Sequence, residues 1–180
     1  IPHFKEVVIM ATTCDACGER TNEVKSGGGI EPEGTKIQVK IRTREDFSRD
    51  VLKSETCSME IPELELEVGP AALGGRFTTV EGLIVATKEQ LSSSTALCGD
   101  STAEVGKKRM TDFISKLDEV LNGKREITIV LDDPAGNSYI QSLADTGCDE
   151  GLTIDKYQRS FEQNEELGLN DMRVENYETN

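Results

Sequence analysis

Apolar and polar positions alternate strictly over residues 36–42, so this stretch is predicted as a strand with Ile37, Val39 and Ile41 on its buried face. Residues 50–55 and 57–61 are shorter strand candidates. Pro62 then interrupts, and Leu64, Leu66 and Val68 alternate with Glu65 and Glu67, whose acids face water. Several short antiparallel strands in about forty residues point to a sandwich or barrel. The period then changes. Thr78 and Glu81 have the spacing of a capping box, and Val80, Leu83, Ile84, Thr87 and Leu91 follow at helical intervals. A polar loop over residues 92–106 leads to a second stripe of Met110, Phe113, Ile114, Leu117, Val120 and Leu121, which Gly123 ends. This predicts a helical hairpin over about residues 78–122, with both stripes facing the core. Residues 126–131 return to strand. Pro134 and Gly136 impose a tight turn on residues 132–138, and residues 139–141 resume the strand. Ile154, Tyr157 and Phe161 are spaced as one face of a C-terminal helix over about residues 153–167, and the tail from Asn170 is polar and frays.

The amino-terminal stretch carries the most specific chemistry. Residues 4–13 read as a strand running into Cys14-Asp15-Ala16-Cys17-Gly18. Two cysteines two residues apart aim both thiolates at one ion, and Gly18 tolerates the positive φ that closes such a knuckle. A thioredoxin-like redox pair needs a helix after it, and residues 19–25 are not amphipathic. Strand, knuckle and strand make half of a zinc ribbon, because tetrahedral zinc takes four ligands and there is no second C-x-x-C. The missing pair is expected upstream of Ile1, since the chain lacks an initiator Met and opens in mid-strand. The alternative is completion by two of Cys57, Cys98, Cys148 and His3. Cys57 by itself reads as a small buried hydrophobe.

Charge and inventory narrow the function. Lys and Arg number 20 against 34 Asp and Glu, a net charge of -14, which argues against nucleic acid and anionic membranes and suits a basic protein partner. Five cysteines, mostly isolated, fit a reducing compartment, and neither a membrane-length apolar run nor a signal peptide is visible. The glycine-rich residues 26–34 read as a flexible boundary between modules. Gly29-x-x-x-x-Gly34-Thr35-Lys36 has the wrong order for a phosphate loop. A single histidine rules out a two-histidine metal triad, and a Ser-His-Asp set would have to recruit His3. Asp132 and Asp133, as strand neighbours, point to opposite faces and are expected to serve turns and caps rather than share a site. The chain therefore reads as no enzyme.

Five blocks in order resemble the ZPR-type zinc-finger proteins of eukaryotes: residues 1–10 before Cys14-x-x-Cys17-Gly18, residues 52–58 with 61–64, residues 73–83, residues 132–140 and residues 162–171. The resemblance covers nearly the whole chain. It implies an α+β, mainly β fold: residues 1–28 as the second half of a four-cysteine zinc finger, and residues 29–180 as a β-barrel or jelly-roll-like (double-stranded β-helix) domain with the helical hairpin inserted. Cys14 and Cys17 would be the two zinc ligands present, in a site that is incomplete within this chain. The resemblance also implies binding of translation elongation factor 1-alpha as adaptor or folding factor, binding of the cytoplasmic domain of a receptor tyrosine kinase in growth-factor signalling, and movement between cytoplasm and nucleus. Two polar segments are candidates for the partner surface: Asp132, Asp133, Asn137 and Tyr139 in the turn, and Gln163, Asn164, Glu165 and Asp171 near the C-terminus. The competing readings are a structural scaffold whose recognition lies in the other copy of the module, and a metal-dependent enzyme in the barrel.

Overall fold

The computed structural model describes residues 6–18, 20–96 and 103–171. His3, Cys98 and the C-terminal tail beyond Asp171 lie outside these residues, as does the start of the first expected strand. The chain opens with an antiparallel hairpin of β1 (Val7–Thr13) and β2 (Arg20–Ser26), in register from Val7 opposite Ser26 to Thr13 opposite Arg20. The rest forms two antiparallel sheets. The larger runs β10 (Leu152–Tyr157), β3 (Gly34–Ile41), β8 (Ile127–Asp133), β5 (Ser58–Ile61), β6 (Leu66–Val68). The smaller runs β7 (Arg76–Thr79), β4 (Asp50–Lys53), β9 (Tyr139–Ile140). The fold is α+β and mainly β, a jelly-roll arrangement of two sheets rather than a closed barrel.

Alternation builds the core as expected: Ile37, Val39 and Ile41 are buried, and so are Ile127, Ile129 and Leu131 across the pair. Met59, Ile61, Val51 and Ile140 join them from the other strands, so the inner faces of both sheets share one apolar cluster. Cys57 is buried there too, its thiol pushed up to about 12 by burial. One helical turn, α1 (Arg44–Phe47), lies between β3 and β4, and the helical hairpin caps the cluster. Val80, Leu83 and Ile84 of α2 (Val80–Ala96) and Leu117 and Val120 of α3 (Ala103–Leu121) are fully buried. Gly123, at φ 70, ends the second helix. Among the described residues no helix is long and apolar enough to cross a membrane.

Four sequence expectations are corrected. The cap of α2 is Thr79, whose Oγ1 accepts from the Gly82 amide at 3.1 Å, while Thr78 belongs to β7. Residues 92–96 continue α2 instead of starting a loop. The hydroxyls of Ser92 and Ser93 donate to the carbonyls of Lys88 and Glu89, so these serines satisfy themselves inside the helix. Tyr139 and Ile140 resume a strand, but in the smaller sheet, paired with β4. The largest difference is at the C-terminus. Residues 152–157 are a strand on the free edge of β3, from Leu152 opposite Val39 to Tyr157 opposite Gly34, and the helix α4 is only Phe161–Glu166. The signal for that start was Ser160 with Gln163. Ser160 Oγ accepts from the Gln163 amide and Gln163 Oε1 accepts from the Ser160 amide, a complete capping box.

The hairpin does not stand free of the jelly roll. Val24 of β2 is buried, and its amide donates to the Gly75 carbonyl at 3.0 Å. A Cβ at Gly75 would clash with the Val24 carbonyl oxygen, so only glycine permits this approach. The glycine-rich boundary is likewise tied down: the Glu31 amide donates to the Ala135 carbonyl at 2.9 Å.

Candidate functional site

The tip of the β1–β2 hairpin is a knuckle. The Gly18 amide donates to the Cys14 carbonyl at 2.8 Å, and Gly18 sits at φ 74, the conformation its sequence position predicts. Both Cys14 and Cys17 are exposed. The Cys17 and Ala16 amides point at the Cys14 sulfur and lower its pKa, which favours the thiolate that binds metal. Two thiols and converging amides fit half of a tetrahedral thiolate site. Among the described residues no three His, Cys, Asp or Glu side chains converge to hold a metal: Cys57 lies in the core, and Cys148 is exposed in the loop before β10.

The two polar segments, distant in sequence, meet on the larger sheet. Tyr157 of β10 donates through its hydroxyl to Asp132 Oδ1 at 2.6 Å and accepts from Gln163 Nε2 at 3.2 Å. Its ring lies across Gly34, where no side chain would fit. Burial, and then the bond to the Asp132 carboxylate, raise the phenol's pKa, so it stays a donor. Beside it Arg159 ties four acceptors: the carbonyls of Glu31, Pro32 and Pro134, and Asn164 Oδ1 at 3.0 Å. Sequence reasoning missed both residues. Alternation over residues 152–157 puts Leu152 and Ile154 on the face opposite Tyr157 and so does not single it out, and nothing local points to Arg159.

Asp133 has the opposite fate from its neighbour, as strand alternation requires. It is fully buried and accepts five hydrogen bonds: from Ser54 Oγ, Thr56 Oγ1, Ser138 Oγ and the amides of Ala135 and Asn137, all between 2.6 and 3.0 Å. It fastens the turn after β8 to the loop after β4. Asn137 reaches the Gly29 carbonyl at 3.4 Å, and Tyr139 is half-buried in β9. Gln163 and Asn164 are used by the cap of α4 and by Arg159, whereas Glu162, Glu165, Glu166 and Asp171 are exposed. The result is a rigid polar face whose outermost groups are carboxylates.

A second polar knot holds the loop before β10. Arg49, 3% exposed, donates to Asp46 at 2.8 Å, to Asp149 at 2.5 Å and to the Gln141 carbonyl at 2.9 Å. The Arg49 guanidinium, with the Leu143 and Gly151 amides, holds the Asp149 carboxyl well below the usual carboxylate range. Lys53 is buried, and its hydrogen bonds go to the Pro70 and Ser54 carbonyls. Burial lowers its pKa.

Comparison with known proteins matches residues 1–32 to the ZPR1 zinc-finger domain and residues 45–169 to the ZPR1 jelly-roll domain. The chain is 61% identical over 180 residues to the zinc finger protein ZPR1 of Drosophila melanogaster, covering 99% of this chain and 39% of that protein. It is 52% identical over 178 residues to the human zinc finger protein ZPR1, with the same shares covered. It is 49% identical over 183 residues to the zinc finger chaperone zpr1 of Schizosaccharomyces pombe, again 99% and 39%. The chain thus spans 39% of the length of these curated relatives.

Proposed function

This chain belongs to the ZPR1 family of zinc-finger proteins, and we propose that it is a non-enzymatic partner-binding module, an adaptor or folding factor for translation elongation factor 1-alpha. The observation that carries this reading is the single acid-edged face built from two distant polar segments, joined by Asp132, Tyr157 and Gln163 and braced by Arg159. A rigid carboxylate face with net charge -14 behind it matches a basic partner and speeds its encounter. The name of the fission-yeast relative, a chaperone, supports the folding role. On the same reading the module also meets the cytoplasmic domain of a receptor tyrosine kinase and works in both cytoplasm and nucleus. Cys14 and Cys17 supply two zinc thiolates, and bound zinc would fix the tip of the hairpin.

The experiment is calorimetric titration of the 180-residue chain with GDP-bound elongation factor 1-alpha at two salt concentrations. Saturable binding that weakens with salt is expected. Absence of binding overturns the reading. It would favour the scaffold alternative, which the internal use of Asp133, Gln163 and Asn164 already suits.

A further inference from the structure

Leu52 of β4 is 3% exposed yet lies outside the main apolar cluster. The strand register explains why. Val51 stands opposite Thr78 and Ile140 and points into the core, so Leu52 points out. On that outer face it stands directly opposite Phe77 of β7 and Tyr139 of β9. Residues directly opposite in an antiparallel ladder share a face at close range. Phe77, Leu52 and Tyr139 therefore form one apolar row across the smaller sheet, with the leucine sheltered between two rings. Phe77 is itself 41% exposed, and Tyr139 is half-buried. Asp50 lies two residues before Leu52 on the same strand and so on the same face. Its charge reaches the Tyr139 hydroxyl: burial first, and then Asp50, raise that phenol's pKa.

We infer that this row is a docking surface for a basic protein partner, which lays an apolar side chain across Phe77 and Tyr139 and sets a lysine or arginine against Asp50. Two rigid aromatic side chains flanking a dry aliphatic residue supply the buried centre on which binding energy concentrates. A carboxylate at one end of the row, on a chain of net charge -14, selects a cation over an anion beside the apolar group. The inference rests on the partner-binding reading and extends it.

The test titrates GDP-bound elongation factor 1-alpha into the full 180-residue chain, as wild type and as Phe77→Ser, Asp50→Lys and Ile154→Ser. Ile154 is a comparably exposed apolar residue on the other sheet. A melting curve accompanies each variant, and sedimentation of the wild type alone reports self-association. Phe77→Ser is expected to weaken binding about tenfold or more, the range of a hot-spot truncation. Asp50→Lys, which removes no apolar packing, is expected to weaken it and to reduce its salt dependence, and Ile154→Ser is expected to bind as wild type. Wild-type affinity in both Phe77→Ser and Asp50→Lys overturns the docking row and leaves the partner-binding reading standing. A wild-type chain that does not bind overturns both. Concentration-dependent dimers that Phe77→Ser abolishes would assign the row to a second copy of the chain and overturn the inference as well.

Discussion

Asp133 accepts hydrogen bonds from three hydroxyls and two amides. Removing the carboxylate leaves five donors to find new partners, those of Ala135 and Ser138 buried and the others half-buried, and each unmet buried donor costs roughly 1–3 kcal/mol. Asp133→Ala is expected to destabilise the chain by about 3 kcal/mol or more, a fall in Tm of about 6–12 °C for a domain of this size, read by thermal melting. Asp132→Ala loses only the Tyr157 bond and should fall by much less. The contrast separates neighbours that a sequence presents as a pair. Alternation told that the two could not share a site. That Asp133 is a buried hub was not legible, because Ser54 and Thr56 lie 79 and 77 residues away. Arg159 was hidden for the same reason, since its acceptors are mostly backbone carbonyls, which carry no side-chain signature.

Among the elements, period decided correctly wherever one face of a strand or helix was buried over a long stretch, as in β3, β8 and the helical hairpin. It failed at β10. Ile154, Tyr157 and Phe161 happen to fall at helical intervals, but β3 offers a full edge of unpaired backbone groups, and six residues of β10 satisfy it. Ile154 ends 49% exposed, so the apolar spacing there reported no buried face at all. The knuckle was legible because its chemistry is local, whereas the docking of its hairpin was not, because it depends on Gly75, far along the chain. Gly75→Val is expected to push β2 off the jelly roll. Hydrogen exchange should show the Val24 amide losing protection by about tenfold or more, while amides in β3 and β8 keep theirs. Unchanged protection at Val24 would mean that the hairpin holds its place without this contact.

At the scale of the whole molecule, the surplus of acids makes stability depend on how the buried carboxylates are held. The folded-state pKa of Asp149 lies far below the ordinary value of 3.8, because of the Arg49 guanidinium first. Its contribution is therefore complete above the unfolded value and is lost as pH falls below it towards the folded one. Burial opposes the charge on Asp46, but the Arg42 and Thr43 amides and Arg49 outweigh it, so Asp46 acts in the same direction. Urea denaturation between pH 7 and pH 2.5 should show stability falling through the acid range. In Asp149→Asn that fall should be shallower, with stability at pH 7 already lower by about 3 kcal/mol because Arg49 is left buried with one carboxylate fewer.

The sheet order also sets a timetable for synthesis. β3 has its two partners in β8 and β10, and the clamp from Arg159 onto Glu31 spans 128 residues. A chain leaving the ribosome from its amino terminus carries β3 unpaired until β8 has emerged and paired on one edge only until β10 has. Until then the edges of β3 are open to mispairing.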